Sequence, residues 1–492
     1  MSEKKEYDLR SALELIRSMP GHYLETDYPV RPADELSGVY RHIGAGGTVM
    51  RPTKLGPALI FNHVEGYPDW RVLIGLFADR RRAAAILGTK PSELSRHIDR
   101  ALSNQIAPIV VPASEAKCRE VVHRADDPDF DLRKILPAPT NTPEDAGPYI
   151  TLGLVYGKDL ETQAEDVTIH RMCVQNKDEI SIYFVKGRHL DEFRKKYEAA
   201  DKPMPITVSI GLDPAIYITA CFEPPTTPIG LNELGVAGGL RGEPVEMVKA
   251  LTVDALGIAN AEVVIEGEIL PGKRMREDVN SNTGRAMPEF PGYTGPAAAE
   301  LPIIKVKAVT HRVNPIMQTC IGPSEEHVVL AGLPTEASIQ RLCDKAMPGK
   351  LLNVHAARCG GGKYVAVLQY KKTDPSDEGR HRQAALTAFA AYPELKTVFI
   401  VDEDVDPFDM DEVLWAMTTR YQADVDTIII PGVRCHPLDP SQDPSISPSI
   451  RTKGATCKTI FDCTAPFDQK TRFRRSHFLD VDPTPWLEAS HN

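Results

Sequence analysis

The sequence predicts a mixed α/β (α+β) protein in which a strand-rich middle lies between two regions of helices and strands. Three observations indicate this fold class: apolar residues at helical spacing near the N-terminus, a series of short β-rich runs between residues 150 and 330, and an alternation of helices and strands after Leu333. Because 492 residues exceed one ordinary hydrophobic core, we expect two or three domains.

The N-terminal region combines two predicted helices with two predicted buried strands. Residues 8–19 place apolar side chains on one helical face, and Asp8 is suited to cap that helix. Pro91 stands near the first turn of a second helix, where its missing N–H is tolerated. The apolar runs at 58–61 and 72–77 indicate buried strands between the two helices.

The middle of the chain begins around residues 137–148, a stretch too rich in Pro and Gly for regular structure. We therefore assign residues 1–135 to an N-terminal α/β region and residues 136–330 to a second domain. Six short β-rich runs fall within the second domain: ITLGLVYG, DVTIHRMCVQ, EISIYFVK, PITVSIGL, AEVVIEGEIL and PIIKVKAVTHRV. Several strands with few helices predict a barrel or a sandwich.

The C-terminal domain, residues 331–492, is predicted to be a sheet with covering helices. We expect helices at 335–347 and 376–391, and a third helix that Asp409 caps. The predicted strands are 351–356, 364–370, 396–404 and the run DTIIIPGV. The last forty residues contain many Pro and Ser, so we expect them to form an arm over a neighbouring surface rather than part of a core.

Composition and charge exclude several classes of partner. The chain carries 57 Lys and Arg against 68 Asp and Glu, a formal charge of -11, and phosphate backbones require a basic surface that this balance does not indicate. No stretch is long and apolar enough to span a membrane. The nine cysteines are scattered and odd in number, which is typical of reduced thiols. We expect a cytoplasmic protein that binds neither nucleic acid nor membrane.

Familiar catalytic motifs are not found in the sequence. The glycines before Lys363 suggest a phosphate loop, but Ala357 stands where that loop needs Gly and Tyr364 where it needs Ser or Thr. Neither a G-x-S-x-G elbow nor an H-E-x-x-H zinc helix occurs. A nucleotide-hydrolysing site, a serine hydrolase and a zinc protease are therefore not indicated.

Three residues form a candidate metal site: Asp166 in DVTIHR, His189 in GRHLDEF and Glu233 in LNELGVAGGL. Two carboxylates and one imidazole suit Mn²⁺ or Mg²⁺ better than zinc or copper, because oxygen donors predominate. The residues alone favour a different interpretation, in which they are a capping Asp, a surface His and a solvated Glu.

Several ordered motifs carry a resemblance to a known family. DVTIHR, GRHL, NELGVAGGL, EVVIEGEILPG, MPEFPGY, VDEDVDPFD and VLWAMTTR follow one another over nearly the whole chain. In order and spacing they resemble the UbiD-type decarboxylases, which depend on prenylated FMN. NTGRAMPEFPGY and GPSEEH are most similar to the protocatechuate (3,4-dihydroxybenzoate) and gallate decarboxylase branch. The resemblance implies a split β-barrel that binds flavin and a C-terminal α/β domain that mediates oligomerisation.

The same resemblance implies how the cofactor is held. Asp166, His189 and Glu233 would bind Mn²⁺ or Mg²⁺ against the cofactor phosphate, because a phosphate dianion beside two carboxylates needs a cation between them. Other branches commonly carry Asn as the first ligand, so Asp166 makes the cation more necessary. A monovalent cation such as K⁺ is expected nearby. The flavin would lie along the strand Thr168-Ile169-His170-Arg171.

Catalytic roles also follow from the resemblance. Arg171 would bind the substrate carboxylate through its planar guanidinium, and Arg188 would be a second cationic contact for cofactor or substrate. Lys396 is matched to a phosphate contact. Glu289, in MPEFPGY, has apolar or rigid neighbours that would raise its pKa, and its position in the family supplies the proton that replaces carbon dioxide.

Two further features concern the substrate. His327, Lys363 and His436 match positions around the ring hydroxyls, where a His can hydrogen-bond or deprotonate a phenol and a Lys can stabilise the phenolate. Gly284 stands where many family members carry a second Glu, so the Glu-Arg-Glu relay of those members is left open for this chain.

The predicted function is reversible, non-oxidative decarboxylation of a hydroxybenzoic acid, with protocatechuate to catechol preferred over gallate or 4-hydroxybenzoate. The resemblance implies a homo-oligomer, dimer or hexamer, and a separate flavin prenyltransferase that supplies the cofactor. Two alternatives stay open at this point. One is an FMN oxidoreductase on a flavin-reductase-like barrel, and the other is a non-catalytic flavin carrier or assembly subunit.

Overall fold

The N-terminal region is a small sheet with covering helices. A computed structural model describes residues 6–46, 56–447, 450–452 and 454–488. In order the elements are α1 (Leu9–Arg17), β1 (Tyr23–Thr26), α2 (Glu35–Ile43), β2 (Ala58–Phe61), β3 (Arg71–Ile74), α3 (Arg80–Leu87), α4 (Leu94–Ser103), β4 (Ile109–Val110), β5 (Val121–Arg124) and α5 (Leu132–Ile135). Asp8 caps α1 as predicted, because its carboxylate accepts the Ser11 N–H at 2.8 Å.

One predicted strand of this region is too long. The run 72–77 was expected to be a single strand, but β3 ends at Ile74 because Gly75 adopts φ +84° and turns the chain. The N–H groups of Gly75 and Phe77 then donate to the carboxylate of Glu326 at 2.8 and 3.2 Å. This turn therefore joins the N-terminal sheet to the beginning of a long helix, α9, described below.

The middle of the chain closes into a β-barrel. Its elements are β6 (Tyr149–Lys158), β7 (Glu165–Val174), β8 (Glu179–Ile182), α6 (His189–Ala199), β9 (Met204–Ile210), α7 (Pro214–Thr219), α8 (Glu233–Arg241), β10 (Glu246–Lys249), β11 (Leu256–Ile258), β12 (Val263–Met275), β13 (Arg285–Pro288), β14 (Thr294–Pro296), β15 (Leu301–His311) and β16 (Ile316–Thr319). Six strands pair in the order β12-β9-β6-β7-β8-β15, and β15 pairs back to β12. The sequence predicted either a barrel or a sandwich for this region, and the barrel is confirmed.

Two strands tie the barrel to the N-terminal region. β5 pairs with the outer part of β15, and β16 lies parallel to β3 at the edge of the N-terminal sheet, whose order is β1-β2-β3-β16. Two large apolar clusters each contain residues from both regions. The N-terminal region and the barrel therefore share their hydrophobic core.

The C-terminal region is a five-stranded sheet with helices. Its elements are α9 (Glu325–Ala346), β17 (Leu351–Ala356), β18 (Val365–Tyr370), α10 (Arg380–Ala391), β19 (Thr397–Val401), α11 (Met410–Arg420), α12 (Ala423–Asp426), β20 (Thr427–Arg434), β21 (Ala455–Cys463) and α13 (Thr484–Glu488). The strand order is β17-β18-β19-β21-β20. Asp409 caps α11 as predicted. In the part of the chain that the structure describes, no helix is long and apolar enough to cross a membrane.

Two predictions for this region are wrong. The helix expected at 335–347 begins at Glu325, since Ser324 caps it and the helix continues through Pro334. The last forty residues are not all an arm, because β21 lies inside the sheet between β19 and β20. The sequence did not predict this strand because several of its side chains are polar. One of them, Asp462, is buried and pairs with His381 and Arg382, each at 2.7 Å.

The Gly75 turn gives a test of the fold. Gly75→Ala should destabilise the protein by about 3 kcal/mol, because it combines a positive φ with overlap between the new methyl group and the Tyr40 hydroxyl. Gly88→Ala is the matched control: φ is +67°, but nothing lies near the added methyl, so about 1 kcal/mol is expected. Urea unfolding measures both, and equal losses would contradict the predicted overlap.

Candidate active site

One cavity gathers nearly all predicted site residues. It has a volume of about 320 Å³ and lies between the first half of β7, the N-termini of α6, α8 and α9, the turn after β13 and the loop after β20. The predicted residues that line it are Asp166, Thr168, Ile169, His170, Arg171, Arg188, His189, Glu233, Glu289, His327, Lys363 and His436.

Lys396 is the predicted residue that the structure does not bring to this cavity wall. Its ammonium group bonds to the Asp439 carboxylate at 2.8 Å and to the Ser441 hydroxyl at 2.7 Å. The ammonium group of Lys396 is therefore bound outside the cavity lining.

Strand β7 offers a backbone edge to the cavity. β8 pairs only with its last part, Met172–Val174, so the stretch from Asp166 to His170 has a partner strand, β6, on one side alone. The His170 side chain is buried: its Nδ1 lies 3.1 Å from the Tyr183 carbonyl oxygen, and burial lowers its pKa to about 4. A planar ligand along β7 would meet free backbone groups, which fits the strand predicted to carry the flavin.

Two carboxylates and an imidazole meet at one end of the cavity. His189 begins α6, and its Nδ1 lies 3.0 Å from Oδ1 of Asp166. Glu233 begins α8, is buried, and its Oε2 has no hydrogen-bond partner among the residues described. The pKa of Glu233 is raised to about 8. The main cause is burial of the carboxyl group, and the second is repulsion from Asp166.

This end of the cavity fits a divalent cation. A positive ion would supply the missing partner of Glu233 and relieve its repulsion from Asp166. In the described part of the chain, no three such side chains already stand close enough to hold a metal ion, and Asp166 bonds to His189 instead. Small rotations of the three side chains would be needed to bind one.

Arg171 lies between two carboxylates at the middle of the cavity. Its Nε and Nη2 donate to the two oxygens of Glu277, both at 3.1 Å, and its Nη1 donates to Glu289. The Tyr183 ring lies beneath the guanidinium, 4.2 Å from Cζ to the ring centroid. Glu277 is almost fully buried and also accepts the Tyr149 hydroxyl at 3.0 Å. The structure thus contains a Glu-Arg-Glu cluster.

The sequence pointed to the wrong position for this cluster. Gly284, in place of the second Glu, left the relay open, but Glu277 supplies the carboxylate seven residues earlier in the chain. Gly284 itself adopts φ +72° and donates its N–H to Asp278 at 2.8 Å. None of the motifs in the sequence contains Glu277, because its partner Arg171 lies 106 positions away in the chain.

Glu289 has the environment of a proton donor. It lies in the turn between β13 and β14, where the N–H of Glu289 donates to the Tyr293 carbonyl at 2.9 Å. Burial raises the pKa of the Glu289 carboxyl, although the charge of Arg171 opposes this effect. A carboxyl group with a raised pKa holds its proton nearer to neutral pH, as a general acid must.

A cluster of charged side chains forms the opposite wall. Arg188 Nη2 lies 2.7 Å from Glu223 and 3.2 Å from Glu394, and the ammonium of Lys363 lies 3.2 and 3.4 Å from the same two carboxylates. Tyr392 donates its hydroxyl to Glu394 at 3.2 Å. Sequence reasoning missed Glu223 and Glu394, because neither belongs to a motif that indicates their role.

Aromatic rings complete this wall. The ring of Phe290 stacks parallel on His327, with 5.0 Å between centroids, and meets His436 edge-on at 4.8 Å. Burial and the nearby charge of Lys363 lower the pKa of His327 to about 3 and that of His436 well below its usual value. Both imidazoles are therefore neutral at physiological pH and can hydrogen-bond a ring hydroxyl.

Comparisons with known proteins agree with this geometry. Three family models match successive parts of the chain: the N-terminal, Rift-related and C-terminal domains of 3-octaprenyl-4-hydroxybenzoate carboxy-lyase, at residues 17–102, 109–325 and 328–463. Gallate decarboxylase of Lactiplantibacillus plantarum is 54% identical over 97% of this chain and 98% of its own.

Two solved structures extend the comparison. The apo 3,4-dihydroxybenzoic acid decarboxylase of Enterobacter cloacae is 61% identical, with a TM-score of 0.94 over 98% of this chain and 99% of its own. An evolved dimeric form of the UbiD-class enzyme HmfF from Pelotomaculum thermopropionicum, in complex with prFMN, is 30% identical, with a TM-score of 0.82 over 98% of both chains. The resemblance seen in the sequence is confirmed.

Arg171 gives a test of the site's electrostatics. Arg171→Met should cost about 3 kcal/mol of stability at neutral pH, because it leaves the Glu277 and Glu289 carboxylates buried together without their cation. Loss of the cation also raises the pKa of Glu289 further, and an acid whose pKa is higher in the folded than in the unfolded state destabilises the protein increasingly as the pH rises from the unfolded pKa to the folded pKa. The loss of stability caused by Arg171→Met should therefore become smaller as the pH is lowered from about 7.5 to about 5.5.

Urea unfolding at the two pH values measures this deficit. Arg133→Met is the control, because Arg133 is exposed and pairs with Asp131 on the surface, so its loss should cost less than about 0.5 kcal/mol. A deficit for Arg171→Met that does not change with pH would contradict the assigned charge interaction.

Proposed function

The chain belongs to the UbiD family of carboxy-lyases, and on that premise we propose that it removes carbon dioxide from 3,4-dihydroxybenzoate to give catechol, without net oxidation. Relatives that span nearly the whole chain are named as gallate and 3,4-dihydroxybenzoic acid decarboxylases. The observation that carries the proposal is Arg171 beside Glu289, in one cavity with two neutral imidazoles and a lysine. Gallate and 4-hydroxybenzoate are further candidate substrates.

Residues on the two sides of the cavity would carry out different parts of the reaction. The bonds from Arg171 to Glu277 and Glu289 leave other N–H groups of its guanidinium for the substrate carboxylate. His327, Lys363 and His436 contact the ring hydroxyls from the opposite wall. Once carbon dioxide has left, Glu289 delivers its proton to the ring carbon that carried the carboxylate. The aromatic wall excludes water that would compete as a proton source.

Prenylated FMN is the cofactor that this arrangement fits. When bound, it supplies the electron-accepting ring system that protein side chains lack. Thr168, Ile169 and the backbone of β7 would hold the flavin ring. Asp166, His189 and Glu233 would hold Mn²⁺ or Mg²⁺ beside its phosphate, with Arg188 as a further cationic contact and K⁺ nearby. The cofactor would come from a separate flavin prenyltransferase.

The alternative functions lose their support. An FMN oxidoreductase or a non-catalytic flavin carrier would not need a carboxyl group with a raised pKa beside an arginine. The Lactiplantibacillus plantarum and Enterobacter cloacae relatives, which match nearly the whole chain, carry names of decarboxylases. No observation favours either alternative over decarboxylation.

The C-terminal segment supports a homo-oligomer, dimer or hexamer. Beyond β21 the chain exposes large apolar side chains: Phe478 and Leu479 are 83% and 84% exposed, and Trp486 is 70% exposed. On the edge strand β20, Ile429 is 63% exposed. Such side chains favour contact with a second copy of the chain.

The proposed reaction is tested with flavin-loaded protein and a panel of hydroxybenzoates. Catechol and carbon dioxide should appear from 3,4-dihydroxybenzoate, measured by chromatography and gas analysis. Glu289→Gln should lower the rate at least about 1,000-fold, because the amide has no proton to deliver. Glu403→Gln, an exposed carboxylate paired with Lys470, should keep the wild-type rate. A near wild-type rate for Glu289→Gln would refute its role.

The metal site is tested by Mn²⁺ binding, followed by electron paramagnetic resonance. Glu233→Gln should weaken binding about 10- to 100-fold, and Glu192→Gln, an exposed residue of α6, should leave it unchanged. Protons compete for Glu233, whose pKa is raised to about 8, so affinity should increase from about pH 6 to about pH 8.5. Equal affinity of the two variants would exclude Glu233 as a ligand.

A further inference from the structure

Glu394 is the centre of the charged wall. Its Oε1 accepts from Arg188 at 3.2 Å, and its Oε2 accepts from the Tyr392 hydroxyl at 3.2 Å and from Lys363 at 3.4 Å. The Nε2 of His436 lies 3.4 Å from the same Oε2. Glu394 is buried and lines the cavity, yet none of the motifs in the sequence includes it.

The tautomer of His436 is fixed by its surroundings. The backbone N–H of Leu438 donates to Nδ1 of His436 at 3.1 Å, and a ring nitrogen that accepts a hydrogen bond carries no proton. Burial lowers the pKa of His436 well below its usual value, so the ring has a single proton. That proton must be on Nε2, the nitrogen that faces Glu394. His436 is therefore a hydrogen-bond donor toward the cavity and not a base.

Lys363 is a second donor at the same place. Burial alone would lower its pKa, but Glu223, Tyr392 and Glu394 together raise it well above the usual value, so the ammonium keeps its charge. The 3.4 Å contacts from Lys363 and His436 to Glu394 are longer than the usual hydrogen bond of about 2.7 to 3.2 Å. Both donors therefore have capacity for a better-placed oxygen.

Glu394 itself is the acceptor of this group. Burial alone would raise its pKa, but the charges of Lys363 and Arg188 lower it, so the side chain stays ionised and can only accept. Two donors and one acceptor are the partners of a hydroxyl group, which donates one hydrogen bond and accepts two. A methoxy group has no hydrogen to donate and would leave the Glu394 carboxylate without that bond.

We propose that Glu394 is a specificity-determining residue that accepts the hydrogen of a substrate ring hydroxyl, while Lys363 and the Nε2–H of His436 donate to the same oxygen. This inference rests on the proposed function and extends it. It names the substrates as phenolic acids with a free hydroxyl at this position and excludes their O-methylated counterparts. An O-methylated ligand would lose its hydrogen bond to Glu394 and would place a methyl group against the buried carboxylate, and this loss is the physical basis of the exclusion.

The experiment measures binding of catechol and of 1,2-dimethoxybenzene, which has no free hydroxyl, to the flavin-loaded enzyme by titration calorimetry. Wild-type protein should prefer catechol at least about 50-fold. Glu394→Gln should reduce this preference about tenfold, mainly because catechol would bind more weakly. The control Glu403→Gln should keep the wild-type preference. If Glu394 has only a structural role, the substitution would weaken the binding of both ligands equally and leave the ratio of their affinities unchanged. That result would overturn the proposal.

Three further results complete the test. If Glu394→Gln does not fold, Glu394→Asp is used, and its withdrawn carboxylate should also narrow the preference. His436→Gln, whose amide nitrogen reaches the position of Nε2, should keep catechol affinity within about threefold, whereas His436→Asn should lose about tenfold. The opposite order would overturn the donor role of His436. A wild-type enzyme that binds both ligands equally would also overturn the proposal.

Failure of the inference differs from failure of the proposed function. Decarboxylation of the hydroxybenzoate panel is measured on the same preparations. If wild-type protein releases carbon dioxide from 3,4-dihydroxybenzoate but Glu394→Gln keeps the full preference for catechol, only the role of Glu394 is wrong. If no hydroxybenzoate is decarboxylated, the proposed function is wrong.

Discussion

The ion pairs between Arg171 and its two glutamates are the interaction on which the site depends. Two carboxylates cannot be buried side by side without a cation, and a guanidinium has enough donors to bond both at once. Because Glu277 binds it through two parallel bonds, the guanidinium plane is fixed, and Tyr183 supports that plane from below. Glu289 can therefore combine a raised pKa with a fixed position.

Charge balance differs between the two ends of the cavity. At one wall, two cations, Arg188 and Lys363, face the two carboxylates Glu223 and Glu394, so this group is neutral and can remain buried by itself. At the other end, Asp166 bonds to the His189 imidazole, and burial beside Asp166 raises the pKa of Glu233. The two ends therefore suit different ligands: a cation at the second and a neutral hydroxyl at the first.

Sequence patterns predicted the parts of this molecule that depend on local structure. The cap Asp8, the barrel strands and the residues inside ordered motifs are determined by near neighbours or by a resemblance that preserves order. Glu277, Glu394 and β21 were missed because their environments come from distant partners. Glu277 meets Arg171 across the barrel end, and the buried polar face of β21 is neutralised by residues about eighty positions away. No local pattern encodes such pairings.

The site combines side chains from the barrel region with side chains from the C-terminal region, and this division has a chemical consequence. The barrel region supplies Arg171 and Glu289, the groups proposed to bind a carboxylate and deliver a proton, whereas α9 and the loops of the C-terminal sheet supply His327, Lys363 and Glu394. The two sets meet at Phe290, which follows Glu289 in the chain and stacks on His327. Because α9 begins at the cavity and then packs against β17, it fixes the distance between the two sets of groups. In the proposed reaction, the wall that would recognise a ring substituent is therefore positioned by α9, the same helix that contributes His327 to it.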